Sequence, residues 1–267
     1  GKLDTLAVEH AALPMLARTH GQSASPTTFG KELRVFVERL RRERVKLESF
    51  EISAKLNGAT GNYHTFATAL PKTDWIQFSS EFIRSLNEKK GMQIVPNLYT
   101  TQIEPHDSYA ELFQLLSRVN TILIGFNHDM WRYISDAWIT QKPKAGEVGS
   151  STMPHKINPI DFENSEGNLG IANALFSHLA AKLPISRLQR DLSDSTVERN
   201  FGVAFAHSLI GYESLLTGLS RGREVTIEDI RSFIKGLIIP EATKLELLAM
   251  TPATYLGLAS KLAQGKN

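Results

Sequence analysis

The sequence contains no cysteine, and this absence removes several kinds of chemistry at once. Without a thiol, the 267-residue chain has no disulfide, no thiolate metal ligand and no cysteine nucleophile. Neither sign of charge is in large excess, since the chain has 30 basic and 28 acidic residues and a formal net charge of +2. Aromatic residues make up only 8% and are not interleaved with basic ones. Nothing in the composition therefore favours nucleic acid or an anionic membrane as a partner.

Long apolar runs are lacking as well. The longest aliphatic stretches fall far short of the roughly 20 residues that a membrane-spanning helix needs. The chain opens with Gly-Lys-Leu-Asp and shows no apolar signal-peptide core, so we expect a cytoplasmic protein. A hydrophobic fraction of 42% is ordinary for a globular protein with a sizeable core, and the length allows one or two domains.

Apolar residues recur mostly at helical spacing, which predicts an all-α fold. Leu33, Leu40, Leu47 and Ala54 repeat every seven residues, and this predicts one long helix from Lys31 to about Asn57. Further helical segments are predicted over 3–17 (ended by Pro14), 74–86, 108–139, from Asn158 to Leu183, from Ser195 to about Leu219, and within 226–262.

The stretch from Gly149 to Pro159 combines small polar residues, a lysine and a helix-start signal. Asn158 followed by Pro159 is typical of the first turn of a helix, whose free N–H groups favour an anion. Lys156 adds a positive charge beside that turn, so the stretch indicates a site for a carboxylate that gains charge. A flexible surface turn is the alternative.

Two other polar stretches carry ionisable groups. Residues 18–28 are predicted to form a loop ending at a helix cap, Thr28, and this loop contains His20. A histidine titrates near neutrality and suits proton transfer, although a structural role is the alternative. In the stretch 99–107, Glu104, His106 and Asp107 carry metal-ligand atoms, but no second histidine stands at a ligand-pair spacing, so we expect no metal site.

Polar residues also mark the predicted helices on either side of Leu183. Asn164 and Asn168 lie four residues apart, so they share one helix face and can bind a ligand together. Ser195 and Arg199 follow a predicted cap and suit a phosphate or carboxylate. A solvent-exposed face and a surface ion pair are the respective alternatives.

The run from Gly149 to Asn158 resembles the signature loop of the fumarase/aspartase superfamily, G-S-S-x-M-P-x-K-x-N, with every fixed position present. The stretches 161–168 and 190–200 are similar to its adenylosuccinate lyase branch, of bacterial type, and the resemblance covers nearly the whole chain. It implies a long-helix bundle over residues 1–220 and a small helical C-terminal domain over 221–267. It also implies a homotetramer whose active sites are shared between subunits.

The resemblance implies a lyase that eliminates fumarate from adenylosuccinate, giving AMP, and from the succinylated aminoimidazole carboxamide ribotide of purine biosynthesis. No cofactor and no metal are implied. His20, in the motif Thr19-His20-Gly21-Gln22, would be the general acid, Ser150 the base, and Glu163 the group that orients the histidine. The implied substrate-binding residues are Gln102, Ser151, Lys156, Asn158, Asn164, Arg190, Ser195, Thr196 and Arg199.

Two departures from the family bear on activity. Nothing in the chain resembles the family's amino-terminal domain, and further helical sequence is expected between Ser220 and Arg221. We therefore expect this segment alone to be inactive. An argininosuccinate lyase or a fumarase-type member remains an alternative, as does a non-catalytic helical scaffold, which the intact His20 and Ser150 disfavour.

Overall fold

Long helices form most of the structure. The computed structural model describes residues 1–88, 90–141, 157–220, 235 and 240–249. The chain divides into two compact units, one of Gly1–Asp136 with Pro159–Ser220 and one of Ala137–Asn158 with Arg221–Asn267. The domain boundary at residue 220 that the sequence suggests stays a prediction.

The first unit contains eight of the described helices and four short strands. In chain order these are α1 (Lys2–Glu9), β1 (Pro14–Thr19), β2 (Gln22–Thr28), α2 (Phe29–Glu48), β3 (Glu51–Ala54), α3 (His64–Ala69), α4 (Trp75–Ser85), β4 (Gln93–Pro96), α5 (Asp107–Ser135), α6 (Ile160–Lys182), α7 (Ser193–Glu198) and α8 (Phe201–Gly218). The second unit contains α9 (Glu241–Ala249). The predicted helical bundle is thus confirmed, with two small sheets added. No helix in the described ranges is long and apolar enough to cross a membrane.

Helix α6 packs against both α5 and α8 to form the main core. Phe113 of α5 stacks on Phe176 of α6 with ring centroids 5.6 Å apart, and Phe201 and Phe205 of α8 close around the pair. Full burial of such a side chain stabilises the fold by about 1.5–3 kcal/mol.

Two buried asparagines fix the relative positions of these helices. Asn127 of α5 donates a hydrogen bond from Nδ2 to Ser165 Oγ of α6 at 2.9 Å, and Asn120 donates to Ser208 Oγ of α8 at 3.0 Å. Both asparagines are fully buried. A sliding helix would leave buried polar groups unpaired, so these bonds favour one register.

Residues 14–28 form a β-hairpin, so the predicted helix end and loop are wrong there. The strands pair antiparallel, with Thr19 opposite Gln22, and only His20 and Gly21 lie between them. Both have a left-handed backbone, with φ of 53° and 72°. This is the geometry of a two-residue type I′ turn, which matches the twist of the strands that it joins.

The predicted helix from Lys31 to Asn57 ends earlier, at Glu48. Thr28 caps its start as expected, accepting a hydrogen bond from the Lys31 amide at 3.2 Å. Beyond the helix, β3 pairs in parallel with β4, and Phe50 is buried against Leu112 and Leu115 of α5. The burial of Phe50 against α5 changes the direction of the chain after the helix. The heptad pattern alone did not indicate this change.

Two other helix boundaries differ from the prediction. The N-cap of α6 is Pro159, with no side-chain cap, rather than Asn158. The single helix expected from Ser195 to Leu219 is divided into α7 and α8. At the break, Asn200 donates side-chain hydrogen bonds to the carbonyls of Thr196 and Val197, which competes with helix continuation.

A close approach of α1 to α2 generates a first prediction. A Cβ built at Gly30 would lie 2.4 Å from the Ala7 carbonyl oxygen, so the backbone itself would have to shift. We expect Gly30→Ala to lower the free energy of unfolding by about 1–3 kcal/mol, measured by urea denaturation. The control is Gly170→Ala in α6, where a Cβ would meet no described atom within 4 Å and alanine should be neutral or stabilising. Equal stability of the two variants would refute the contact.

Candidate functional site

His20, the predicted general acid, stands at the tip of the β1–β2 hairpin. Its side chain is exposed, and the Arg18 guanidinium braces the turn by donating to the Gly21 carbonyl at 3.1 Å. The turn therefore presents the imidazole outward, where another molecule or another copy of the chain can reach it.

Glu163, the residue expected to orient the histidine, lies in the first turn of α6 and is held by α5. Its Oε1 accepts a hydrogen bond from Trp131 Nε1 at 2.9 Å. One turn away, His128 Nε2 lies 3.0 Å from Glu166 Oε1 across the same pair of helices. Among the described residues, no hydrogen bond joins Glu163 to His20 within one chain.

Asn164 and Asn168 share a face, as their spacing predicts, and this face meets α8. Asn164 donates to Ser214 Oγ at 3.0 Å and accepts from Asn168 Nδ2 at 3.1 Å. Asn168 Oδ1 in turn lies 2.8 Å from His207 Nδ1. The Asn164 amide is thus engaged at both ends within the chain, and its contact with a ligand stays a prediction.

Gln102 lies in an irregular loop between β4 and α5 that touches the segment before α7. Its amide donates to the Gln189 carbonyl at 3.3 Å, which places it beside Arg190, while its own side chain is exposed. On the other side, Lys55 Nζ donates to the Gln102 carbonyl at 2.8 Å. No local sequence pattern indicates Lys55, because its role depends on carbonyls that lie 46 and 47 residues further along the chain.

The segment around Arg190 is folded about the carboxylate of Asp191. Its Oδ2 accepts from the amide and the guanidinium of Arg187, both at 3.1 Å, and its Oδ1 accepts from the Ser193 amide at 2.8 Å. Hydrogen bonds from the Ser193 hydroxyl and amide lower the pKa of Asp191 to about 2, with the nearby Arg187 assisting. The exposed Arg190 then reaches Ser195 Oγ, 3.3 Å from its Nη2.

The two remaining predicted residues of this segment lie on α7 and directly after it. Thr196 and Arg199 are both exposed. The helix is anchored to the loop that follows Gln102, because the buried His106 places Nε2 3.2 Å from Glu198 Oε1. The structure therefore gathers Gln102, Arg190 and α7 into one exposed polar surface.

Glu104 and His106, two of the residues with metal-ligand atoms, take part in internal hydrogen bonds. Glu104 is buried and accepts from the His106 amide at 2.7 Å and from Asn97 Nδ2 at 3.0 Å. Across the described residues, no group of three or more histidine and acidic side chains could hold a metal ion.

The signature loop lies outside the described residues, and with it Ser150, Ser151 and Lys156. The same holds for most of the predicted C-terminal helices. Asn158 is described and belongs to the second unit.

Comparison with known families gives the chain its class. A lyase family model matches residues 2–173, well over half of the sequence, and the chain belongs to this family. A second model, for the C-terminal part of adenylosuccinate lyase, matches residues 186–221.

The curated relatives that the chain resembles include adenylosuccinate lyases. The chain is 47% identical to adenylosuccinate lyase of Escherichia coli (strain K12) over 298 residues, which is 95% of this chain and 64% of the relative. It is 46% identical to adenylosuccinate lyase of Legionella pneumophila (strain Corby) over 308 residues, 99% of this chain and 66% of the relative. The chain thus spans about two thirds of these relatives' length.

The aligned spans are longer than the chain itself, since 308 exceeds 267. These relatives therefore carry residues within the aligned region that this chain lacks. That difference agrees with the expectation of missing sequence, while its predicted place between Ser220 and Arg221 stays a prediction.

Solved structures support the fold. The chain matches 3-carboxy-cis,cis-muconate lactonizing enzyme from Pseudomonas putida with a TM-score of 0.60 and 25% identity, covering 92% of this chain and 54% of that one. It matches class II fumarase from Schistosoma mansoni with the same TM-score and 16% identity, covering 87% and 52%. The second likeness concerns the fold alone.

The lowered pKa of Asp191 gives a second prediction. A carboxylate with a depressed folded pKa stabilises the native loop above its ordinary pKa near 3.8, and this contribution is lost as the pH falls through about 2. We expect the Asp191 carboxyl ¹³C signal to titrate with a midpoint near 2, with the Asp191→Asn variant used to assign the signal. A midpoint at or above 3.8 would show that the loop is not organised around this carboxylate.

Proposed function

We propose that the protein to which this chain belongs is an adenylosuccinate lyase. It eliminates fumarate from adenylosuccinate to give AMP, and also from the succinylated aminoimidazole carboxamide ribotide. The observation that carries this proposal is the 46–47% identity to curated adenylosuccinate lyases over nearly the whole chain. A cytoplasmic purine-biosynthetic enzyme that needs no cofactor, nucleic acid or membrane is consistent with this assignment.

The reaction requires three kinds of group: a base, cations and amides that hold the carbanion, and an acid. A base removes a C–H proton beside a carboxylate, and the resulting carbanion places a second negative charge on that carboxylate. The C–N bond then breaks with its electron pair moving to nitrogen, an acid protonates that nitrogen, and the new C=C bond completes fumarate. A correctly placed acid or base contributes about 10²–10⁴-fold to the rate.

His20 is the proposed acid, and its place at a hairpin tip supports that role. The imidazole is exposed on an ordered turn rather than packed in the core. Within the chain Glu163 accepts from Trp131 and no described bond joins it to His20, so we propose that Glu163 and His20 pair between copies. We therefore propose a homotetramer whose active sites combine several subunits.

Ser150 is the proposed base, with Lys156 and Asn158 holding the succinyl carboxylate that gains charge. A serine hydroxyl is a weak base in water, so it needs a neighbouring cation and exclusion of water to act. Ser151 and Asn164 are proposed to assist in binding the substrate.

The polar surface formed by Gln102, Arg190 and α7 is the proposed binding surface for the nucleotide end of the substrate. Arg190 and Arg199 supply planar guanidinium groups that bind phosphate through paired hydrogen bonds, and Ser195 and Thr196 add hydroxyls. Arg190 Nη2 already lies 3.3 Å from Ser195 Oγ, so these two groups are close enough to share one phosphate. Gln102, next to Arg190, would bind the substrate from the loop between β4 and α5.

The assignment is tested by assaying fumarate release from adenylosuccinate, argininosuccinate and malate. We define the extended protein as this chain completed with the sequence that its E. coli relative carries outside and between the aligned stretches. We expect the extended protein to act on adenylosuccinate and the 267-residue chain alone to be inactive. Preference for argininosuccinate or malate would favour the other lyase classes, and no release from any substrate would favour a scaffold.

A third prediction concerns the proposed acid. In the extended protein, His20→Asn should lower kcat/KM for adenylosuccinate by about 10²–10⁴-fold, because asparagine tolerates the left-handed backbone but cannot supply the proton. The control is His178→Asn, an exposed histidine of α6. Similar activities of the two variants would exclude His20 as the acid.

A further inference from the structure

Lys55 occupies an unusual position for a lysine, directly after strand β3. Its ammonium donates three hydrogen bonds, all to backbone carbonyls: Gly58 at 2.9 Å, Thr101 at 2.7 Å and Gln102 at 2.8 Å. It takes part in none of the described ion pairs. Burial lowers the pKa of Lys55, while the three carbonyl dipoles favour the charged form.

The carbonyls that Lys55 holds belong to a loop with no regular structure of its own. Residues 97–106 lie between β4 and α5 and belong to no helix or strand. At Gln102 the carbonyl is bound by Lys55 and the amide by the Gln189 carbonyl. The backbone of Gln102 is thus fixed on both sides, while its side chain projects into solvent.

A second set of contacts packs the same two loops together. Asn57, which is buried, donates to the Leu98 carbonyl at 3.4 Å and to Thr100 Oγ1 at 2.8 Å. Gly61 has φ of +80°, and a Cβ there would lie 2.1 Å from the Thr100 carbonyl oxygen. The loop after β3 therefore lies directly against the loop that carries Gln102, and Lys55 is the cation that links them.

The number of N–H donors on Lys55 indicates that it positions the loop and does not bind a ligand directly. An ammonium group has three N–H donors, and all three are used by carbonyls. No donor remains for a substrate phosphate or carboxylate unless this arrangement is broken. Lys55 therefore acts on a ligand only through the loop that it holds.

We propose that Lys55 is a positioning residue that fixes Gln102 beside Arg190 so that the two can bind one substrate. This inference rests on the proposed function, and it assigns a role to a residue that has none in the proposed mechanism. The substrate class is the same succinylated nucleotide, and the effect of Lys55 falls on binding rather than on proton transfer.

The first experiment measures order in the loop without any catalysis. In the 267-residue chain, Lys55→Ala should speed hydrogen exchange at the Gln102 amide by about tenfold or more, because its bond to Gln189 loosens. Exchange within α5 and α6 should not change. The control is Lys31→Ala, whose exposed ammonium pairs with Glu32. Unchanged exchange at Gln102 would overturn the proposal.

Chemical rescue identifies the interaction involved. The Lys55→Ala variant leaves room for propylammonium, whose N–H groups can replace the lost donors. We expect propylammonium to restore protection of the Gln102 amide, and tetramethylammonium, which has the same charge but no N–H, to have no effect. Equal rescue by both ions would overturn the hydrogen-bonding role.

The second experiment tests the link to the substrate. In the extended protein, Lys55→Ala should raise KM for adenylosuccinate by about tenfold with a smaller change in kcat, and propylammonium should reverse the change. A lower kcat at constant KM would overturn the positioning role. If the unsubstituted extended protein releases no fumarate, the proposed function fails, and the exchange measurements still decide whether Lys55 holds the loop.

Discussion

The hydrogen-bonded packing of α6 between α5 and α8 is the constraint on which the rest of the structure depends. Asn127–Ser165 joins α5 to α6 and Asn120–Ser208 joins α5 to α8, and both asparagines are fully buried. An apolar interface by itself tolerates sliding, because one methyl group packs nearly as well as another. A buried amide that loses its partner costs about 1–3 kcal/mol, so each pair selects one alignment of the helices. The alignment then determines where every polar side chain at the rim of the bundle comes to lie.

The candidate site is built at that rim from segments that are not themselves regular. Gln102 and Arg190 lie in irregular stretches, and their positions come from a few backbone contacts rather than from helix geometry. The carboxylate of Asp191 folds one stretch, and the ammonium of Lys55 holds the other. A partly buried charged group whose hydrogen bonds are satisfied can fix the conformation of a loop without a helix or a strand. Such loops can change their side chains while the bundle beneath them stays the same.

The sequence predicted the features that depend on neighbouring residues and missed those that depend on distant ones. The long helices follow from spacing, and Thr28 caps α2 through an amide only three residues away. By contrast, β3 exists because it pairs with β4, about forty residues later, which no local pattern reveals. The partners of Glu163 and Gln102 were missed for the same reason, since Trp131 and Lys55 approach them only in the folded chain. The His20-Gly21 dipeptide at the hairpin tip was a local signal for a tight turn, because glycine readily adopts the left-handed backbone that such a turn requires.

The hairpin that carries His20 has a mechanical consequence. Two paired strands with a two-residue turn form a short, twisted arm, and the imidazole sits at its end. Each residue added to both strands would lengthen the arm by about 3.3 Å and turn the side chain to the opposite face. The number of strand residues therefore determines how far the imidazole extends and on which face of the hairpin it lies. Both change only in whole-residue steps. Relatives that share a reaction should keep this count fixed even where the strand side chains differ.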